Sequence, residues 1–271
     1  MIRFFILFGY FILTLYLHLS GKVNQYINLH YSYLAYISMI LSLLLAIVQA
    51  YICFKHLKEH NHLHSFSAKL ASFVLLSLPL LVGFTFPTVT LDSQTVSAKG
   101  YYFPLSEGTD KAIQASEGTS SQYLKPDTSR FYSHTAHENI IRKSADKYLS
   151  QSSIVINDEN YLEVMEVIYD FPNEFEGKEI EFTGFVYNDP NYTNSQFVFR
   201  FGIMHCIADS GVFGLLTTGN TNQYENNTWV RVRGKISNQY HKELNQVLPT
   251  LVVQSFVKVD KPENPYVYKE F

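Results

Sequence analysis

The chain predicts a membrane α-helical N-terminus of three transmembrane helices, followed by a mostly-β, OB-like small barrel with a preceding helix. Three observations carry that expectation. Apolar stretches at Ile2–Leu19, Tyr31–Phe54 and Leu70–Phe86 crowd the first ninety of the 271 residues. No comparable stretch follows. The last third instead alternates apolar and polar residues between Gly- and Asn-rich punctuation, the period of half-buried strands.

A helix rises about 1.5 Å per residue and needs roughly 17–25 apolar residues to cross hydrocarbon. Tyr31–Phe54 meets this most clearly. It holds no Asp, Glu, Lys or Arg, and its centre from Ile37 to Val48 is apolar on nearly every face, as a lipid-facing helix must be. Pro79 and Gly83 interrupt the third stretch, which membrane helices accept where a neighbouring helix or a hydroxyl takes up the freed backbone group. Arg3 before the first run and Leu19-Ser20-Gly21 at its end also fit a signal peptide. With two further spans behind it, a retained anchor is the simpler expectation. Tyr31, Tyr33, Tyr36 and Tyr51 near the span ends suit the headgroup zone.

Basic residues in short loops stay preferentially on the cytoplasmic side. Lys22 alone marks the first loop, whereas Lys55, Lys58 and Lys69 mark the second. The second loop and the N-terminus are therefore expected in the cytoplasm, with Thr88–Phe271 outside the plasma membrane. Five of the 21 basic and one of the 24 acidic residues fall in the first ninety, leaving 16 against 23 in the remainder. An acidic outer part makes nucleic acid an improbable partner. Cys53 and Cys206 would be separated by the bilayer, so no internal disulfide is expected.

Residues 91–151 read as a polar linker, rich in Ser, Thr, Gly and Gln, with Glu107-Gly108-Thr109 echoed by Glu117-Gly118-Thr119. Thr135–Leu149 has helical spacing and is expected to be helical within it. The outer β domain then occupies 152–271. Asn157 offers a helix cap, Leu162, Met165, Ile168 and Tyr169 form one apolar face, and Phe171-Pro172 ends the helix. Five strands are expected at Lys178–Asn188, Gln196–Ala208, Val212–Thr217, Trp229–Ser237 and Leu248–Val259. Gly184 sits where the first may coil or bulge. Closing them into a barrel would remove exposed edges.

The set Gly177-Lys178-Glu179-Ile180, Gly184-Phe185-Val186-Tyr187, Arg200-Phe201, Met204, Cys206, Ala208-Asp209, Gly214-Leu215-Leu216, Trp229 to Gly234, and Pro262 with Pro265-Tyr266-Val267-Tyr268 resembles the YcgQ-like family of two-component membrane permease subunits. The resemblance implies a polytopic permease partner and an accessory role in moving a small solute across the plasma membrane. Amino acids and a metal ion are both open as that solute; a role under acid or nutrient stress is an expectation that neither the residues nor the resemblance carries.

Family members often carry a Cys-Cys pair before the Ala-Asp, and here its first position is His205. Thiolate and imidazole both bind zinc, so His205, Cys206 and Asp209 form a conceivable Zn²⁺ set. Adjacent strand residues point to opposite faces, however, which argues against a shared ion. The expected roles are a core position for Cys206 and a turn former in Asp209. An enzyme would use Cys206 as nucleophile, His205, His241 or His134 as base and Asp209 as orienter. No nucleophile-elbow or zinc-protease motif accompanies them, and no catalytic role is expected.

A second constellation, His56, His60, His62 and His64, lies between the second and third spans and could bind Zn²⁺ or sense pH. Composition bias in a lipid-facing basic loop yields the same letters. In the outer domain Phe197, Phe199 and Phe201 share one strand face and are expected in the core. Tyr187 and Tyr192 flank Asn188-Asp189-Pro190-Asn191 and are placed for a ligand-binding loop, with Asp209 as a further candidate. The expected function is the noncatalytic subunit of a solute permease, since three spans are too few to enclose a transport path and carry no acidic residue. The alternative is a stand-alone surface protein that binds or senses a ligand or metal.

Overall fold

In the computed structural model, the described residues are 2–55, 65–86, 88–101, 134–190, 192, 195–219, 224–241 and 246–269. They divide into two compact units, Met1–Thr90 and Leu91–Phe271.

The first unit holds three helices long and apolar enough to cross a membrane: α1 (Ile2–Leu19), α2 (Ser32–Phe54, entered through a 3₁₀ turn at Leu29–Tyr31) and α3 (Phe66–Thr85). α3 starts four residues before the expected Leu70 and takes in Lys69, because a single cationic head can reach past an apolar run. Leu41, Leu44, Leu45, Ile47 and Val48 remain exposed, the pattern of a helix whose solvent is not water. Pro79 lies inside α3. The Tyr10 hydroxyl of α1 donates to the Leu76 carbonyl at 2.9 Å, one residue beyond the Leu75 carbonyl that Pro79 leaves without its helical donor. Leu13 of α1 packs into the space that Gly83 leaves, where a Cβ would stand 2.8 Å from its methyl.

The second unit is mostly β. It opens with α4 (Ser93–Lys99), capped by Asp92 accepting from Gln94 and Thr95, then α5 (His134–Leu149), β1 (Ser153–Val155), α6 (Tyr161–Asp170) and α7 (Pro172–Phe175). Six further strands follow: β2 (Glu179–Tyr187), β3 (Gln196–Ile203), β4 (Gly211–Gly219), β5 (Trp229–His241), β6 (Gln246–Lys258) and β7 (Tyr266–Tyr268). Val96 of α4 and Ala145 and Tyr148 of α5, from the stretch read as linker, are buried in the hydrophobic core.

Asn157 does not cap the helix directly. Its side chain accepts from Glu159 and Asn160, a local turn that delivers the chain to α6 at Tyr161. Leu162, Met165, Ile168 and Tyr169 are buried as the periodicity requires. Phe171 leaves helical geometry before Pro172, which begins the single turn of α7.

Seven strands form one sheet in the order β1-β2-β5-β6-β4-β3-β7, and an additional β2–β3 pairing closes β2, β5, β6, β4 and β3 into a ring. The β4–β6 pairing is parallel and the other four around the ring are antiparallel. β2 pairs with β5 through Phe185 and with β3 from Phe185 onward. The strand therefore changes partner near Gly184, where a Cβ would lie 2.6 Å from the Phe199 carbonyl. The register shift falls elsewhere, at Arg233/Gly234 of β5. Phe197, Phe199 and Phe201 are buried in the core. β3 is shorter than expected because Met204 leaves the ladder for a turn, whereas β5 and β6 run longer as a paired hairpin.

α5 is held to α6 by Glu163, which accepts from Tyr148 and lies 3.2 Å from Lys147. Partial burial pushes the Glu163 carboxyl up, but the hydrogen bonds from Tyr148, Ser144 and Lys147 outweigh it and leave the group below its ordinary value. A carboxylate with a depressed folded value contributes stability above its unfolded value of about 4.3, and that contribution is lost as pH falls through the folded one. Wild-type protein is thus expected to melt above Glu163→Gln at pH 7. The gap should close on acidification below the carboxylate range, followed by the fluorescence of the single tryptophan, Trp229.

Candidate functional site

Gln196 opens β3 with its side chain almost wholly buried. Its Nε2 donates to Asn188 Oδ1 at 2.6 Å and to the Tyr224 carbonyl at 2.7 Å, while its Oε1 accepts from the Tyr224 amide at 3.2 Å. One amide thereby ties the segment after β2 to the segment before β5. Asn188 adds a second tie, donating from Nδ2 to the Tyr224 carbonyl at 3.0 Å. Between them lies an open cleft of about 550 Å³, lined by Asn188, Asp189, Pro190, Tyr192, Gln196, Tyr224 and Glu225 among others.

The aromatic walls are fixed from behind. Tyr192 meets the Phe197 ring edge-on at 5.3 Å and lies 5.8 Å from His241, and Tyr224 lies 5.4 Å from Phe256. Asp189 accepts from the Tyr101 hydroxyl at 2.8 Å. Burial, with that carboxylate as partner, pushes the Tyr101 phenol far above its ordinary value. Tyr101 is thus a neutral donor that orients Asp189.

The structure separates the predicted residues. Tyr192 lines the cleft, beside the Asn188-Asp189-Pro190 stretch that drew attention in the sequence. Tyr187 is buried, with its ring 6.0 Å from Tyr101 and 6.1 Å from Phe199, and its hydroxyl accepts from Ser97 at 3.4 Å. Asp209 closes a 3₁₀ turn, Ile207–Asp209. Its carboxylate accepts from the amides of His205 and Cys206 and lies 2.7 Å from His205 Nδ1. That is the geometry of a turn former.

Cys206 is half-buried and, like Cys53, a free thiol. His241 is buried with Nε2 2.9 Å from the Thr250 hydroxyl. Among the described residues no three His, Cys, Asp or Glu side chains are grouped to hold a metal ion. His56, His60, His62 and His64 lie outside the described residues.

Tyr224, Glu225 and Gln196 escaped sequence reasoning. Their contribution arises because the ring brings the β2–β3 and β4–β5 connections together across about 35 residues of chain. Tyr101 was hidden in the apparent linker. Asn227 beside the cleft adopts a positive φ of 68°, a turn geometry that Asn accepts and that names no ligand.

Among the described residues, three helices of membrane-spanning length and a seven-stranded sheet, five strands of which close into a ring beside a polar, aromatic cleft, define the class: apolar N-terminal helices joined to a mostly-β domain. The chain belongs to the DUF1980 family: the DUF1980 N-terminal domain matches residues 2–102 and the DUF1980 C-terminal domain matches residues 131–269. It is 54% identical over 271 residues, covering all of both chains, to the "Putative two-component membrane permease complex subunit" of Streptococcus mutans serotype c (strain ATCC 700610 / UA159). It is 35% identical, again over all of both chains, to the UPF0703 protein YcgQ of Bacillus subtilis strain 168. The resemblance read from the sequence therefore holds at family level along the whole chain.

Proposed function

We propose that this protein is the accessory, noncatalytic subunit of a two-component membrane permease, held in the lipid bilayer by α1–α3 and working with a separate polytopic partner to move a small solute. The observation that carries this reading is full-length similarity to a relative named as a permease complex subunit. Three spanning helices support it, since a transport path needs more walls than three helices supply.

In the same reading the N-terminus is cytoplasmic and the β domain extracellular, on the strength of Lys55, Lys58 and Lys69 against Lys22. The ring is taken as an OB-like barrel whose β2–β3 end captures solute before it reaches the partner. Open sheet edges invite unwanted pairing, so closure suits an exported domain.

Copurification tests the assignment. Tagged protein extracted in mild detergent is expected to bring down one polytopic protein in a fixed ratio, identified by mass spectrometry. A chain that purifies alone under crosslinking would favour a solitary surface sensor.

A further inference from the structure

The cleft between the β2–β3 connection and the residues preceding β5 has a one-sided electrostatic character. Among the described residues it is lined by two carboxylates, Asp189 and Glu225, and two phenol rings, Tyr192 and Tyr224, and by no Lys, Arg or His. At about 550 Å³ it falls within the roughly 300–1,000 Å³ of small-ligand sites. Its walls are set before any ligand arrives, because Gln196 and Asn188 join the two segments and Tyr101 holds Asp189.

Carboxylates and ring faces both attract an ammonium group, the first through charge-assisted hydrogen bonds and the second through the ring quadrupole. An anion meets the repulsion of two carboxylates there, with only neutral amide and hydroxyl donors to offset it. A zwitterionic amino acid would bring its own carboxylate into the same field with no basic group among the described lining residues to receive it, a penalty that works as discrimination.

We propose that this cleft binds small solutes that carry an amine cation and no carboxylate, with Asp189 and Glu225 as charge partners and Tyr192 and Tyr224 as flanking rings. This narrows the solute left open above and sets free amino acids aside. Calling the bound amine the permease cargo rests on the proposed function; the binding itself does not.

Calorimetric titration of the full chain in nanodiscs at low salt tests it, with putrescine as the probe and glutamate and glucose as comparisons. Putrescine is expected to bind saturably. Glu225→Gln, at an exposed position, and Asp189→Asn, which keeps an acceptor for Tyr101, should each weaken it roughly tenfold. Trp229 melts confirm that both variants remain folded. No saturable heat with putrescine, an affinity unchanged in the double variant, or glutamate bound as tightly as putrescine would each overturn the site. A chain that binds putrescine yet brings down no polytopic protein removes the permease reading and keeps the site. The opposite pair of results removes the site alone.

Discussion

Arg200→Met is expected to cost the β domain about 2–4 kcal/mol, chiefly because carbonyls that accept from the buried guanidinium lose their donor, at about 1–3 kcal/mol for each acceptor left unsatisfied. The guanidinium side chain is only 3% exposed. It pairs with Asp158 and donates to the carbonyls of Asn264 at 3.1 Å and Tyr266 at 3.2 Å. It also lies 5.7 Å from the rings of both Tyr161 and Trp229. A single side chain thus links β3 to the residues before α6, to the start of β5 and to the C-terminal segment around β7. Methionine fills the volume but leaves those carbonyls without their donor.

Arg200→Lys should recover only part of the loss, since an ammonium cannot reproduce the planar fork. Asp158→Asn should cost far less, near the 0–1 kcal/mol of exposed pairs, because the Asp158 side chain is 63% exposed and the carbonyl partners remain. Thermal or urea melts of the full chain in detergent, read at Trp229, measure all three. A loss below about 1 kcal/mol for Arg200→Met would show that the ion pair and its carbonyl partners contribute little.

Gly214→Ala is the second large effect. A Cβ there would stand 1.9 Å from the Val198 carbonyl and 3.0 Å from the Phe199 Cα. Neither is the far end of a flexible side chain. Gly214 pairs with Phe199 in the β3–β4 ladder, and its own carbonyl accepts from the buried Tyr169 hydroxyl at 2.6 Å. Relief of the clash would pull β4 from β3 and disturb the α6 contact together, a loss of at least about 3 kcal/mol.

Gly177→Ala is the informative contrast. Gly177 has φ +78° but open space around the added carbon, so only backbone strain of about 1 kcal/mol is expected. The same Trp229 melts rank the two. Equal losses would place the cost in glycine's backbone freedom rather than in strand approach.

Much of the architecture was legible because it is written in local periods. The spans follow from uninterrupted apolar length, and α6 from apolar spacing that ends at Phe171-Pro172. β2 and β5 follow from alternating apolar positions, and β3, β4 and β6 are expected as strands between Gly- and Asn-rich turns. β1 and β7 were missed because three-residue strands carry too little period to register, and each exists only through parallel pairing with β2 or β3. Arg200 alternates with the core-facing Phe199 and Phe201, yet every residue of β3 is buried. Its burial depends on elements packed against both faces, which no window of β3 contains.

The candidate site divides the same way. The Asn188-Asp189-Pro190 turn and neighbouring Tyr192 were visible as a loop with binding chemistry. Tyr224, Glu225 and Tyr101 join the site only through the fold, and Tyr187 belongs to the core.

By itself the sequence determined that this is an anchored protein with an acidic β domain, because hydrocarbon length and side-chain alternation are properties of neighbouring residues. Tertiary structure alone decided ring closure, the buried guanidinium and the acidic aromatic cleft. Those depend on pairings between residues far apart in the chain, whose free energy comes from burial and hydrogen bonds formed only after the strands have met.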